Sequence, residues 1–534
     1  MGLSWRHLTL VSVAVYVVIA YGHSKAALLR ALAALALSNL FLKGLWSIFV
    51  WPHLVSPIRH LPQPDGGHWI LGQGKRLAGN LPAAPCREWI DELRHDGLIR
   101  YLGFFNRERV LVCSPDALKE VLVTKSHDFE KSASTRAILG NVLGNGLLLA
   151  DGDDHTMQRK NLMPAFHVRH IKALYPVFWE KAFELVQAMT AAAAASSSST
   201  VDVHSWASRC TLDIIGVAGM GVDFGAIQNE NSRLAKIYRQ IFDSDASARQ
   251  MLILSMMLPA WSLQYLPTKR NRDLRRAAKV LRQVSMDLIQ RRRRELASNE
   301  EQKYLDIIYV ALKGGYFTDT ELVDHIMTFL AAGHDTTASA LTWTIYQLSR
   351  HPEVQKKLRK EIRDNLDPLE AGSGVSSALI DKLPYLNAVC SEVLRTHSPV
   401  PLTLRTVARD TVIQGQAIPK GTTIMLAAWG TNLDCKLWGP DAKDFRPERW
   451  LSSPTGGADS NYALLTFLHG PRGCIGTTFS RAELACLVAA CVGRFDFSLA
   501  DKALMDEAKL TYKPSVILKP AHGLDIVIKV IEGW

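Results

Sequence analysis

Three short stretches of the sequence combine residue types that do chemistry. In FLHGPRGCIG (467–476), Cys474 sits in a glycine-rich turn two positions after Arg472. An apolar helical pattern, TTFSRAELACLVAACVG (477–493), follows it. The dipole and free N–H groups at the start of such a helix favour a sulfur anion, which serves as a metal ligand or a nucleophile. His469 is the one local base a nucleophile could use. Free cysteines are otherwise small buried apolar groups, a role that the turn and Arg472 oppose. In AGHDTT (332–337), four polar residues interrupt an apolar helix. Buried Asp and Thr cost several kcal/mol unless paired. Either the threonine hydroxyls bond back to their own i−4 carbonyls and Asp335 faces water, or the helix is distorted beside a pocket. In the second case Gly333 admits something flat, Thr336 donates a hydrogen bond and Asp335 relays protons. The third stretch is Glu392-x-x-Arg395, an i,i+3 pair on one helix face flanked by Leu386, Val389, Val393 and Leu394. That flank predicts a buried pair, which needs further partners. Arg449 of FRPERW (445–450) is the third member the sequence offers.

The elements that position these groups are mostly helical. A capping box from Thr318 to Glu321 opens the longest helix, which ends at Arg350 before His351-Pro352. At ~1.5 Å per residue it reaches roughly 50 Å, enough to cross a domain. Ala277, Leu281, Val284 and Leu288 mark another helix, with RRRR (291–294) on its solvated side. No aromatic platform interleaves that run, so nucleic acid is not an expected partner. Strand patterns cluster late, in TVIQG (411–415), QAIPKGTTIML (416–426), VILKP and LDIVIKV. AAAAASSSS (191–199) and LEAGSGVSS (369–377) read as surface insertions. From about residue 85 onward there is neither an internal repeat nor a clear second linker.

With 48% apolar residues, the 534-residue chain supports a large core, which excludes global disorder. Eight cysteines without a CxxC pair argue against a disulfide scaffold or zinc ribbon. The net charge of +11 fits an anionic membrane surface or an acidic protein partner. Apolar runs at 8–21 and 26–42, the second broken only by Arg30, compare with the ~20 residues of a spanning helix. Apolar character continuing to Val50 and Trp51 favours a retained anchor of one or two helices over a cleaved signal. Lys43, Arg59, Lys75 and Arg76 then keep the body in the cytosol. The division is an anchor over 1–55, a proline-rich hinge and start of the body over 56–84, and one large domain over 85–534.

Together these motifs resemble the cytochromes P-450, the haem-thiolate monooxygenases. Phe467, Gly470, Arg472, Cys474 and Gly476 match the cysteine-loop pattern, and Ala332 to Thr337 match the oxygen-activation pattern. Glu392-x-x-Arg395 and PERW (447–450) complete the set in the family's order. The resemblance implies a mainly α fold with a minor β-sheet component, haem lying between the long helix and the cysteine loop. Cys474 would be the axial ligand of iron, Phe467 would pack near the sulfur, and Gly470 and Gly476 would admit the porphyrin. Ala332 and Gly333 would face the other side of the cofactor. Arg472, Arg405 and Arg159 match propionate ligands. His155 stands where the family often has Trp, and can still donate to a propionate. Asp335 and Thr336 would deliver protons for dioxygen activation, and Glu392, Arg395 and Arg449 would form a structural ion network.

The implied reaction inserts one oxygen atom from dioxygen, with NADPH electrons arriving through a flavoprotein reductase. The anchor implies an endoplasmic reticulum membrane with the catalytic domain on the cytosolic side. The Met-rich segment 251–266 suits an adaptable wall or channel mouth. Residues 132–149 and Leu402-Thr403 fall at family pocket positions. The former are small and aliphatic, which points to a bulky lipophilic substrate such as a terpenoid or polyketide, and the whole resembles filamentous-fungal enzymes of secondary metabolism. Two rivals are a reductase-independent enzyme that rearranges peroxides and a haem-binding sensor or carrier without turnover. Asp335 and Thr336 oppose the first.

Overall fold

A computed structural model describes residues 25–534 apart from 80–82, 196–197, 232–235, 238–245, 259, 264, 299–305, 370–373 and 514. The apolar run at 8–21 lies outside the described residues. The principal helices are α1 (Lys25–Leu45), α2 (Gly152–Leu162), α3 (Tyr175–Ala195), α4 (Val203–Met220), α5 (Lys269–Ala297), α6 (Asp319–Arg350), α7 (Pro384–Thr396) and α8 (Thr477–Arg494). They enclose one large apolar core, with small sheets at its margin.

Helix α6 organises the core. Thr318 Oγ1 accepts from Glu321 N at 3.3 Å while Glu321 Oε2 accepts from Thr318 N at 2.8 Å, so two orphan donors are satisfied at its start. After 32 residues it ends at His351, where Pro352 follows. Glycine lets α4 approach it closely: a Cβ on Gly333 would stand 2.8 Å from Ile215 Cδ1. Among the described residues, β1 (Leu98–Leu102), β2 (Glu108–Val112), β3 (Phe129–Lys131), β5 (Thr403–Val407) and β8 (Thr423–Leu426) form a sheet in the order β1-β2-β8-β5-β3. In the antiparallel β3–β5 pair, Lys131 stands opposite Arg405. A second sheet has the order β4-β10-β9 (Thr200–Asp202, Asp525–Val530 and Phe495–Leu499), and β6 (Thr411–Ile413) pairs with β7 (Gln416–Ile418).

Three expectations are corrected. The alanines of 191–195 extend α3 rather than forming a surface insertion, as their helix propensity favours. The RRRR run is not wholly solvated. Successive helical residues turn by about 100°, and Arg292 points inward to Asp306 at 2.7 Å. Among the described residues VILKP contributes a single bridge, Tyr512 to Pro520, rather than a strand.

Candidate functional site

The cysteine turn is pinned from both ends. Gly470 adopts φ 71°, and a Cβ there would collide with Leu122 O. The neighbouring backbone therefore requires glycine here. Cys474 N donates to Phe467 O at 2.8 Å, closing the loop. The Phe467 ring lies 5.5 Å from the Arg481 guanidinium. Cys474 is exposed, so packing does not close it off. Burial pushes the thiol up, against the Gly476 N–H, the Thr477 hydroxyl and the Arg159 charge, which favour the thiolate.

Beside it lies a group of cations with few anions. Arg405 is 2% exposed, and its Nη2 has no partner among the described residues. Its Nη1 donates to Thr403 Oγ1 at 3.0 Å and Leu404 O at 2.9 Å. Burial pushes Arg405 down to about 10. Burial, then the charges of Arg405 and Arg472, hold Lys131 well below the usual ammonium range. Burial, then Arg159, Lys131 and Arg405, lower His155 to about 4, so its ring is neutral. Arg159 Nη1 donates to Gly473 O at 2.7 Å, and Arg472 pairs with Asp151. Like charges opposite one another on a ladder destabilise a sheet. A buried guanidinium nitrogen without an acceptor adds to that cost. A flat group carrying two carboxylates satisfies both deficits, and a thiol facing the same neighbourhood would ligate its metal. The donors present therefore fit haem.

On α6, Ala332 is exposed in the middle of a helix whose flanks are buried. Thr336 Oγ1 donates to Ala332 O at 2.7 Å and Thr337 Oγ1 to Gly333 O at 3.3 Å, so the back-bonded arrangement is present. Asp335, however, does not face water. Its Oδ2 meets Lys519 Nζ at 2.6 Å. Burial works to raise this carboxyl, but Lys519 and His334 outweigh it and hold it below the ordinary range. His334 Nε2 lies 3.3 Å from Ser208 Oγ, and His204 Nδ1 lies 3.2 Å from Thr342 Oγ1. The open side of Gly333 faces Ile215 of α4. Residues 144–146, within the expected pocket segment, pack on this helix. Asn145 N donates to Asp324 Oδ2 at 2.8 Å.

The profile of the cytochrome P-450 family matches residues 62–524, most of the chain. The chain belongs to the cytochrome P-450 family. It is similar to the cytochrome P-450 monooxygenase sphH of Aspergillus fumigatus, 42% identical over 525 residues that cover 96% of this chain and 95% of that one. It is also similar to the cytochrome P-450 monooxygenase FUM15 of Gibberella moniliformis, 40% identical over 539 residues covering 91% and 90%. The protein is thus a cytochrome P-450 monooxygenase of the fungal secondary-metabolism type, an oxygen-inserting oxidoreductase.

Behind the cysteine turn of this cytochrome P-450, Glu392 Oε1 and Oε2 accept from Arg395 at 2.7 and 2.9 Å. Arg449 Nε and Trp450 Nε1 add bonds of 2.9 Å each. Arg395 Nη1 reaches Asn432 O at 2.9 Å. Asn432 Oδ1 accepts from Leu465 N at 2.8 Å, and Thr466 Oγ1 donates to Leu394 O at 2.6 Å. The network therefore holds the strand of chain that enters the turn at Phe467. His469 faces elsewhere, with Nε2 2.9 Å from Leu464 O.

Sequence reasoning missed Lys131, Asp151 and Lys519. Lys131 joins the site through its register with Arg405, and Lys519 arrives from the C-terminal segment to meet Asp335. Neither carries a local motif signal.

Proposed function

We propose that this monooxygenase inserts one oxygen atom from dioxygen into a bulky lipophilic secondary metabolite, such as a terpenoid or polyketide. Electrons come from NADPH through a membrane flavoprotein reductase. Residues 1–55 anchor the chain in the endoplasmic reticulum membrane, 56–84 lead into the body, and 85–534 form the catalytic domain on the cytosolic side. The observation that carries the reading is the unneutralised cluster of Lys131, Arg405 and Arg159 beside the Cys474 thiol. For the anchor, the support is the apolar helical stretch Arg30–Val55, long enough to cross a bilayer.

Haem, when bound, supplies dioxygen activation and oxygen transfer. Cys474 Sγ would hold its iron, losing the proton that burial otherwise retains. Lys131, Arg159, Arg405 and Arg472 would pair with the propionates, and neutral His155 would donate a hydrogen bond to one of them. Ala332, exposed in the middle of α6, would offer the cofactor a small side chain. Lys519 keeps Asp335 ionised, and Asp335 and Thr336 would hold and pass on protons that the reaction draws from solvent. The aliphatic segment 132–149 would form the wall that excludes water from a lipophilic substrate.

The test is the full chain in membranes with a flavoprotein reductase and NADPH. A haem-thiolate band on reduction under carbon monoxide is expected, together with substrate-stimulated NADPH consumption. Replacing Cys474 by Ser should abolish the band, and its persistence would refute the ligand assignment. The band without stimulated consumption would favour a carrier.

A further inference from the structure

The apolar helix α1 continues into a π-helical segment, Trp46–Val55, that contains Pro52. Proline brings no N–H to such a turn. Two of the segment's carbonyls are instead taken by side chains of the body. Asn106 Nδ2 donates to Ile48 O at 3.0 Å and to Trp69 O at 2.8 Å. Arg100, 1% exposed on β1, donates from Nη2 to Pro52 O at 2.5 Å. The same guanidinium holds Gln63 Oε1 at 2.8 Å and Glu108 Oε1 at 2.9 Å. Glu108 Oε2 in turn accepts from Trp51 Nε1 at 2.9 Å. Ser56 and Ile58, just beyond, are fully buried. Asn106 reaches its position through left-handed backbone, φ 57° at Phe105 and 51° at Asn106, conformations uncommon outside glycine.

Outside this clamp the surface is apolar. Leu54 is 70% exposed and Trp69 67%, with Val55 also exposed. Trp69 stacks on Phe49 of the same segment at 5.8 Å. Tryptophan rings favour the level of lipid headgroups, where an apolar body and a polar N–H are both accommodated. The patch is continuous with the helix that would cross the bilayer.

We propose that Trp46–Val55 is a rigid strut: the Arg100, Glu108 and Asn106 clamp fixes the tilt of the catalytic body against the membrane, and Leu54, Val55 and Trp69 sit among the lipid headgroups. The inference rests on the reading of α1 as the membrane anchor. A flexible tether would leave the Ile48 and Pro52 carbonyls to water. Arg100 is buried in the protein, where the clamp's bonds are stronger than they would be in water.

The experiment uses the full-length holoenzyme in oriented phosphatidylcholine bilayers, with haem tilt read by polarised absorption. The wild type should give one narrow tilt distribution. Asn106→Ala and Arg100→Gln should broaden it at least twofold, with the haem-thiolate spectrum confirming that each variant is folded. Unchanged width in a folded variant would overturn the strut. Headgroup-labelled quencher lipid should dim the fluorescence that distinguishes wild type from Trp69→Phe. Absence of that quenching would overturn the seating of the patch even if both clamp variants misfold. Release of the wild type by alkaline carbonate would overturn the anchor reading itself, whereas retention with failed tilt or quenching results overturns the strut alone.

Discussion

Lys131 is the residue whose cost most needs a ligand. It is enclosed, opposite Arg405, and pushed down by burial and by two guanidiniums. Lys131→Met is expected to stabilise the haem-free protein while weakening haem retention about 10-fold, the scale of one charge-assisted hydrogen bond. Thermal unfolding of the apoprotein and transfer of haem to an acceptor protein measure the two effects, which should have opposite signs. Lys519 acts on Asp335 in a comparable way. With Lys519→Met the nearest cation is gone, so burial raises that carboxyl against only the weaker opposition of His334 and His204. The Asp335 limb of the pH–rate profile should then move to higher pH, and turnover should fall by about 100-fold, the size of a general acid–base contribution. A profile unchanged in position would remove Asp335 from the proton path.

Helix packing decides which side chains of AGHDTT reach the site. Gly333 is turned toward α4, where Ile215 leaves no room for a methyl group. Gly333→Ala should destabilise the pair by about 1–3 kcal/mol, the usual penalty of overpacking. Adding Ile215→Val, which removes the nearest atom, should recover part of that loss in thermal melts. The α7 network works differently, by charge. Glu392 is fully buried and accepts from Arg395, Arg449 and Trp450, together with the Arg446 N–H at 2.9 Å. Glu392→Gln leaves buried Arg395 without its counterion and Arg449 with Asp441 alone at 3.3 Å, and should cost about 3–5 kcal/mol. Because Asn432 and Thr466 link the network to the cysteine turn, haem should be lost before global unfolding, visible as a Soret change at lower urea than the far-ultraviolet transition.

Across the whole molecule, enclosing polar groups makes stability depend on pH. His325 is fully buried between Phe317 and Phe329, and neither ring nitrogen has a partner among the described residues. Burial lowers it to about 4 from 6.5. Below about pH 6.5 the unfolded chain takes up a proton that the folded one refuses, so stability falls as pH drops toward 4 and is unaffected above 6.5. At pH 5 this group costs about 2 kcal/mol. His325→Leu should make the difference in urea stability between pH 7 and pH 5 smaller by about that amount. An unchanged difference would show that the histidine accepts its proton in the folded state. Asp213 and Asp306, raised to about 6 by burial, act in the opposite direction, so the variant comparison is more informative than the total slope.

Local signals in the sequence were enough for the family, the central helix with its capping box, and the constellations around Cys474, Asp335 and Glu392. Each depends on neighbours within a few residues: a cap, an i,i+3 spacing, a glycine turn before a helix. The tertiary structure decided what spacing cannot encode. Rotation of a helix set Gly333 against Ile215 and left Ala332 open, although they are adjacent in the chain. Strand register placed Lys131 opposite Arg405, and the return of the C-terminal segment gave Asp335 its lysine. Those partners lie more than a hundred residues apart, and only burial around a common core brings them within the few ångströms over which charge and shape are felt.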